Sequence, residues 1–222
     1  MSLLVAIEGG DGAGKATAAA VVAARLEAMG KRTTVLSFPR YAETAGGWAL
    51  GAHLAGRLPR PVTAQAAAVL YALDRLESRP ALLDAMARHD VVVLDRYVAS
   101  NLAYQGAQAG DAAADLMRWA WALETETFAL PAPDLQVYLE TPVDVARDLI
   151  ARKRQRSYTD QTYDQYEADA GLQARVRENY AALAASGWAG RWVTVRTTAG
   201  AVLRTPEDIA GEIVDTVAAR LG

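Results

Sequence analysis

The sequence predicts an α/β protein built on a doubly wound sheet of five parallel strands. Three observations support this prediction: short apolar runs recur along the chain, helical stretches separate them, and no linker, repeat or composition break divides the 222 residues. A chain of this length is within reach of a single domain and long enough to bury a substantial core. We therefore expect one domain over residues 1–222.

Five short runs have the composition of buried strands. They are rich in Val and Leu and are bounded by turn residues, as expected where helices cover both faces of a parallel sheet. The five runs are residues 3–7, 32–37, 91–95, 135–140 and 191–196.

Helical stretches fill the intervals between these strands. The first covers residues 15–29 and ends at Gly30, a residue type that commonly stops a helix. Residues 62–88 hold one or two helices, and Pro80 is expected to mark a break or a second start.

Later helices are indicated by composition and by caps. Residues 111–129 are expected to form one long helix, rich in Ala, Leu and Trp, that ends at a proline-rich turn. Thr141-Pro142 and Thr205-Pro206 each place a capping hydroxyl before a proline, which is typical of a first helical position.

Composition excludes several classes of protein. A formal net charge of −3 argues against a nucleic-acid binder that relies on a basic surface, and the lack of cysteine excludes disulfides and thiolate chemistry. The first apolar run, Leu3 to Ile7, is too short for a signal peptide or a membrane span, so the cytoplasm is the expected compartment.

The stretch "EGGDGAGKAT" (8–17) almost matches the phosphate-binding pattern G-x-x-x-x-G-K-[ST]. Small residues allow successive backbone N–H groups to turn toward an anion, and a helix that begins there favours negative charge. The preceding strand and the following helix are the expected context, so the pattern predicts the three-layer α/β/α fold of P-loop NTPases. The predicted ATP-binding residues are Gly9, Gly10, Asp11, Gly12, Ala13, Gly14, Lys15, Ala16 and Thr17.

The loop departs from the pattern at Ala16, where a Ser or Thr hydroxyl normally ligates Mg²⁺. Either the match is accidental, or the protein binds a nucleoside triphosphate and holds its metal in another way. Ala16 cannot ligate a metal, although Thr17 stands next to it. The carboxylates of Asp11 and Asp95 are therefore candidate ligands.

A second element, "VVVLDRYVASNLAY" (91–104), ends an apolar strand in Asp95. Ligands bind at the carboxyl ends of strands in open α/β sheets, so Asp95 is expected to face the metal and phosphates. Arg96 follows directly and can clamp phosphoryl oxygens. The alternative is an ordinary surface Asp–Arg pair.

Two further stretches combine aromatic rings with guanidinium groups. "FPRY" (38–41) follows the second strand and can serve a planar base and an anionic phosphate. Tyr71 and Arg75 lie four residues apart and share one helix face, which suits stacking on a base and donation to its exocyclic oxygen. For "FPRY" the alternative is ordinary loop packing, and for Tyr71 and Arg75 it is a core tyrosine beside a surface arginine.

His53 and His89 are isolated in the sequence, so no metal or acid–base role is expected for them.

A basic run stands outside the sheet pattern. Arg152, Lys153, Arg154 and Arg156 fall within five residues and are followed by three tyrosines. This run predicts a flap over about residues 151–163 that closes on a polyphosphate. A solvated, charged helix end is the alternative.

Taken together, the motifs resemble those of the thymidylate kinase family, bacterial members above all. The resemblance runs over nearly the whole chain in a fixed order of blocks, of which "DRYVASNLAY" is the most specific. The blocks are "IEGGDGAGK", "FPRY", "YALDR", "LDRYVASNLAY", "PDLQVYLE" and "DQYEAD".

The resemblance implies an enzyme that phosphorylates dTMP to dTDP with ATP and Mg²⁺, acts as a homodimer and bends at a cis bond before Pro39. Tyr71 stands where the family usually has a phenylalanine stacked on thymine, and Tyr104 would crowd the sugar C2′ and disfavour ribose. The residues implied for dTMP are Asp11, Phe38, Arg40, Tyr41, Tyr71, Arg75, Arg96, Asn101, Tyr104, Asp164 and Tyr166.

The resemblance also implies how charge is distributed. Gly12-Ala13 lacks the basic residue that some members carry in the phosphate loop, so flap arginines are expected to act instead. The implied metal ligands are Asp11, Asp95 and Glu167. The implied catalytic residues are Lys15, Arg96, Arg152, Arg154 and Arg156.

Two other functions stay open on the sequence. One is a kinase for a different nucleotide or a deoxynucleoside. The other is a regulatory NTPase, which is disfavoured because the guanine-reading N-K-x-D motif and an attached effector domain are both lacking.

Overall fold

A computed structural model describes residues 2–151, 166 and 169–221. Its centre is a five-stranded parallel sheet, as predicted from the apolar runs, and the strand order is β2-β3-β1-β4-β5. The strands are β1 (Leu3–Glu8), β2 (Thr33–Ser37), β3 (Val91–Asp95), β4 (Leu135–Glu140) and β5 (Trp192–Arg196), and a small hairpin adds β6 (Thr198–Ala199) and β7 (Val202–Leu203).

The described helices connect and cover these strands. They are α1 (Lys15–Ala28), α2 (Ala45–Leu54), α3 (Ala64–Arg88), α4 (Val98–Ala109), α5 (Ala113–Ala122), α6 (Val143–Ala151), α7 (Ala170–Ser186) and α8 (Pro206–Leu221). The long helix predicted over residues 111–129 is not a regular α-helix throughout: a 3₁₀ turn (Gly110–Ala112) precedes α5, and a π-helical turn (Leu123–Thr127) follows it.

Two apolar cores lie on opposite faces of the sheet. Val5 and Ile7 of β1 point into a core shared with α1 and α8, whereas Leu4 and Ala6 point into a larger core shared with α3, α4 and α7. Because successive strand residues face opposite sides, a strand covered on both faces is apolar throughout. This is why the strands could be recognised as continuous Val- and Leu-rich runs.

Of the one or two helices predicted over residues 62–88, the structure has one, and Pro80 is neither a break nor a second start. It lies inside α3, which is continuous over 25 residues. Pro80 itself is exposed, whereas Ala72, Leu82 and Ala85 on either side of it are buried along the same helix. Burial of the flanking turns therefore holds the helix together despite the hydrogen bond that a proline removes.

Helix α2 was not predicted, because its sequence "AGGWALGAHL" is rich in glycine. Those glycines permit close packing: a Cβ at Gly46 would lie 2.4 Å from the Asp74 nitrogen, and one at Gly47 would lie 2.2 Å from the Arg40 carbonyl oxygen. The Thr44 hydroxyl caps the helix by accepting from the Gly47 N–H at 2.8 Å.

The two Thr-Pro pairs differ from each other. Thr205 caps α8 as predicted, accepting from the Asp208 N–H at 3.1 Å. Thr141 does not cap α6, which begins at Val143; its hydroxyl accepts instead from the Thr197 hydroxyl at 3.1 Å.

Two further findings complete the fold. The Phe38–Pro39 peptide bond is cis, as the resemblance implied. No helix within residues 2–151 or 169–221 is long and apolar enough to cross a membrane.

Candidate active site

The phosphate loop joins β1 to α1 at the carboxyl edge of the sheet. Gly12 has a φ of +77°, and a Cβ there would lie 2.2 Å from the Ala146 carbonyl oxygen, so only glycine fits. Gly14, at φ +82°, precedes the first turn of α1. Lys15 is buried and donates from Nζ to the Gly10 carbonyl oxygen at 2.7 Å. The loop therefore has the turned backbone and the helix start that phosphate binding requires.

Ala16 and Thr17 lie exposed on the first turn of α1, in the part of the loop that sequence reasoning assigned to ATP. Gly9, at φ +148°, sits against the Leu139 carbonyl oxygen, and Ala13 is buried in the core below the loop. All nine predicted ATP-binding residues thus lie together at one edge of the sheet.

Arg96 is held at the centre of the site. It follows β3 with a φ of +66°, which is uncommon for a residue with a side chain and recurs at functional sites. Its Nη1 donates to the Gly9 carbonyl oxygen at 3.3 Å and to Ser100 Oγ at 3.2 Å. Its Nη2 donates to Asp11 Oδ1 and to the Tyr104 hydroxyl. The structure therefore brings together Asp11, Arg96 and Tyr104 as expected.

Asp11 is strongly favoured as a carboxylate. Burial acts to raise its pKa, but the charges of Arg96 and Lys15 and hydrogen bonds from Tyr104 and Gln173 lower it from 3.8 to about 2. Burial also raises the pKa of Tyr104, so its hydroxyl stays protonated next to this carboxylate.

This pKa shift predicts a pH-dependent stability. A lowered pKa in the folded state stabilises the fold above pH 4 or so, and this contribution is lost as the pH falls toward 2. The shift from 3.8 to about 2 corresponds to about 2 kcal/mol in the free energy of unfolding. The test is urea unfolding of the wild type and of Asp11→Asn without divalent metal. The wild type should have the higher free energy of unfolding at pH 7, and this difference should become smaller between pH 4 and pH 2. A difference that does not change with pH would contradict the assignment.

A second carboxylate, Glu8, lies fully buried behind Arg96. Its Oε1 accepts from the Tyr97 N–H at 2.7 Å. Its Oε2 accepts from the Ser100 hydroxyl at 2.7 Å and from the Tyr180 hydroxyl at 2.9 Å. Burial raises the pKa of Glu8, while these hydrogen bonds and the charge of Arg96 act in the opposite direction.

Tyr166 lies against the same cluster. Its ring stacks on Tyr104, with centroids 6.0 Å apart, and its hydroxyl lies 3.0 Å from His53 Nε2. Gln173 Nε2 donates both to the Tyr166 carbonyl oxygen at 3.0 Å and to Asp11 Oδ2 at 2.9 Å. Gln173 therefore links α7 and Tyr166 to the phosphate loop.

A buried ion pair forms the base side of the predicted site. Arg75 is 2% exposed and donates from Nε and Nη2 to Glu124, with Nη2 2.8 Å from Oε1. Asn101 Nδ2 also donates to Glu124 Oε1 at 2.8 Å.

Within the described residues, Asn101 Oδ1 and Gln105 Nε2 are buried without a hydrogen-bond partner. These two residues are four apart on α4, so they share one face of the helix.

The "FPRY" stretch lies directly after β2 as predicted. Phe38 is buried with its ring 5.9 Å from that of Tyr97, and the Arg40 side chain pairs with Glu43. The partly buried rings of Tyr41 and Tyr71 pack against the larger core.

Two of the three predicted metal ligands, Asp11 and Asp95, lie within the described residues. Asp95 ends β3, and both Asp95 and Asp11 lie close enough to Arg96 to raise its pKa. No cluster of three or more His, Asp or Glu side chains that could hold a metal occurs within the described chain. Most of the flap predicted at about 151–163 lies outside the described residues, as do Arg152, Arg154, Arg156, Asp164 and Glu167.

Several buried polar residues of this region were missed by sequence reasoning. His53 was set aside as isolated, yet it is buried and contacts Tyr166. Glu8 stood inside a quoted motif but was assigned no role. Glu124 lies in "ALETET", where no motif marks it. Each of the three has its partner far away in the chain, so only the fold brings the pair together.

Comparisons with known proteins identify the family of the chain. The family model "Thymidylate kinase" matches residues 7–204. The thymidylate kinase of Mycobacterium tuberculosis is 40% identical over 201 aligned residues, which cover 87% of this chain and 91% of that protein. The thymidylate kinase of Thermomicrobium roseum is 36% identical over 227 aligned residues, which cover 98% and 95%.

The fold is also similar to that of a solved structure. The thymidylate kinase of Candida albicans aligns with a TM-score of 0.73 over 99% of this chain and 92% of that one, at 22% sequence identity. At this identity the match supports the fold alone, while the family model and the two bacterial relatives carry the sequence evidence. The chain belongs to the thymidylate kinase family.

Proposed function

We propose that this enzyme transfers the γ-phosphoryl group of ATP to dTMP, forming dTDP and ADP with the help of Mg²⁺. The observation that carries the proposal is the convergence at one sheet edge of the phosphate loop, Lys15 and the Arg96 cluster. Phosphoryl transfer requires two phosphates held in line and neutralised charge, and these groups can supply both.

The base side fits a thymine ring. Asn101 Oδ1 is an acceptor and Gln105 Nε2 is a donor, and neither has a partner among the described residues. A thymine edge presents an N3–H donor next to carbonyl acceptors, so it can satisfy both. The Arg75 contacts with Glu124 use Nε and Nη2 and leave Nη1 to donate to a base carbonyl.

Tyr104 is proposed to discriminate at the sugar. Its ring lies 5.2 Å from the Arg96 guanidinium carbon and stacks on Tyr166. With a phosphate on Arg96 and a base near Asn101, the sugar would lie next to this ring. A 2′-hydroxyl would then meet a crowded, buried surface, which favours deoxyribose.

The chemistry assigned to the chain is mainly electrostatic. Lys15 and Arg96 would neutralise the phosphates, and Arg152, Arg154 and Arg156 of the flap would add charge as the flap excludes water. Exclusion of water matters because an open site would hydrolyse ATP. Asp11 would release Arg96 when the acceptor phosphate arrives, since both anions compete for the same guanidinium edge.

Mg²⁺ is assigned to carboxylates at the mouth of the loop. Asp11, 15% exposed, and Asp95 are carboxylates of the kind that Mg²⁺ prefers, and Glu167 is a third candidate from the sequence. Ala16 offers no hydroxyl, so we assign the metal to these carboxylates. Bound there, Mg²⁺ would neutralise phosphate oxygens.

The enzyme is further proposed to act as a homodimer. Trp48 of α2, Val69 of α3 and Trp119 of α5 are exposed apolar residues on the helices of one face of the sheet. A second copy of the chain would remove these side chains from water.

An acceptor panel tests the proposed reaction. ADP release from ATP and Mg²⁺ should be fast with dTMP, slower with dUMP and negligible with UMP, AMP or thymidine. A preference for thymidine or another nucleotide would favour the kinase of a different acceptor. Equal release with and without any acceptor would favour a regulatory NTPase and would overturn the proposal.

A further inference from the structure

Glu8 is a buried charged group for which the proposed reaction has no direct use. It is 0% exposed, it lies one residue before the phosphate loop, and its carboxylate receives three hydrogen bonds from two helices and a backbone N–H. A buried carboxylate is costly unless its partners repay the loss of hydration. Because Glu8 lies behind Arg96, it can act on the orientation of the Arg96 side chain.

The hydrogen bonds connect Glu8 to Arg96 through one hydroxyl. Ser100 Oγ lies 2.7 Å from Glu8 Oε2 and 3.2 Å from Arg96 Nη1. A carboxylate can only accept, so the single Ser100 hydrogen points to Glu8, and the lone pairs of Ser100 Oγ are left for the guanidinium. Tyr180, whose hydroxyl lies 2.9 Å from Glu8 Oε2 and 2.8 Å from Ser100 Oγ, holds the same arrangement from α7.

The two edges of the Arg96 side chain are therefore held differently. Nη1 faces the interior, where Gly9 and Ser100 accept from it. Nη2 faces the loop mouth, where Asp11 and Tyr104 accept from it. An incoming phosphate can replace Asp11 at the outer edge, while the inner edge keeps the guanidinium in place.

We propose that Glu8 is a positioning residue for phosphoryl transfer, which fixes the hydroxyl of Ser100 so that it anchors the inner edge of Arg96. This inference rests on the proposed function, because Arg96 is assigned there to the transferring phosphoryl group. Glu8 itself touches no substrate.

The test is a double-mutant cycle measured by ADP release with dTMP. Glu8→Gln keeps the shape but places an amide donor toward Ser100, which reverses the hydrogen bond. We expect kcat to fall about tenfold or more, which is less than the loss expected on removing Arg96 itself. The KM for ATP should stay unchanged. In an Arg96→Ala background, measured with enzyme in excess, Glu8→Gln should cost little more.

Controls separate positioning from stability. Tyr138→Phe removes a hydroxyl from a ring stacked on Tyr180, with centroids 5.6 Å apart, but Tyr138 has no hydrogen bond to Glu8 or Ser100, so kcat should not change. Tyr180→Phe, a second variant should Glu8→Gln fail to fold, removes one donor to Glu8 and should show a smaller loss that also disappears without Arg96.

Two results would overturn the inference while leaving the proposed function in place. One is a wild-type kcat in Glu8→Gln. The other is a Glu8→Gln substitution that lowers kcat by the same factor whether or not Arg96 is present. A wild type that phosphorylates no dTMP would overturn both the proposed function and this inference.

Discussion

Replacing Arg96 with alanine is expected to lower kcat for dTMP phosphorylation by about 10³-fold, because a charge-stabilising group at a transferring phosphoryl group contributes on this scale. The Arg96 guanidinium donates both to the phosphate loop, at the Gly9 carbonyl oxygen, and to the acceptor side, at the Tyr104 hydroxyl. Arg96→Lys should recover only part of the loss, since an ammonium group cannot hold two edges at once. The measurement is kcat by coupled ADP release at saturating ATP and dTMP.

A matched control tests for a general effect of losing an arginine. Arg118 on α5 forms an exposed ion pair with Asp115, and Arg118→Ala should leave kcat and the urea midpoint nearly unchanged. Arg96→Ala removes the ion-pair partner of Asp11 and the cation that acts on Glu8, so its urea midpoint is measured as well. A folded Arg96→Ala enzyme with near-normal kcat would contradict the assignment of Arg96.

Most of the fold could be predicted because its signals are local. The five strands are continuous apolar runs, as two covered faces require, and the loop before α1 has a pattern that few other structures need. Helix α2 and the continuous α3 could not be predicted, because glycine and proline disfavour helices locally. In both cases contacts with distant residues, such as Gly46 against Asp74, decide the structure.

The candidate site shows the same contrast between local signals and contacts of residues that are distant in the chain. Gly12, Lys15, Arg96 and Tyr104 belong to motifs whose spacing is itself the signal, and the structure places them together. The ion pair of Arg75 could not be predicted, because its partner Glu124 lies 49 positions away along the chain. The sequence predicts only that Arg75 shares a helix face with Tyr71 and can donate to a base. Buried polar partners of this kind leave no local trace in the sequence, because the requirement that they satisfy arises only after folding.

The buried pair of Arg75 and Glu124 leads to the largest expected effect on stability. Glu124 is 0% exposed and accepts from Arg75 and from Asn101, so Glu124→Ala leaves a buried guanidinium without its partner. Breaking one half of such a pair costs about 3–5 kcal/mol, a large part of the roughly 5–15 kcal/mol that a domain of ordinary stability has. Urea unfolding of Glu124→Ala should show this loss.

The double variant Arg75→Met, Glu124→Leu separates stability from base recognition. Two apolar side chains of similar volume leave no buried charge, so much of the stability lost in Glu124→Ala should return. The KM for dTMP should nevertheless rise at least tenfold, because the donor for the base carbonyl is gone, while the KM for ATP stays the same. If the double variant kept the wild-type KM for dTMP, the pair would be a structural element of the core, and Arg75 would have no part in reading the base. A Glu124→Ala enzyme as stable as the wild type would show instead that the guanidinium finds other acceptors, and the energetic argument for the pair would fail.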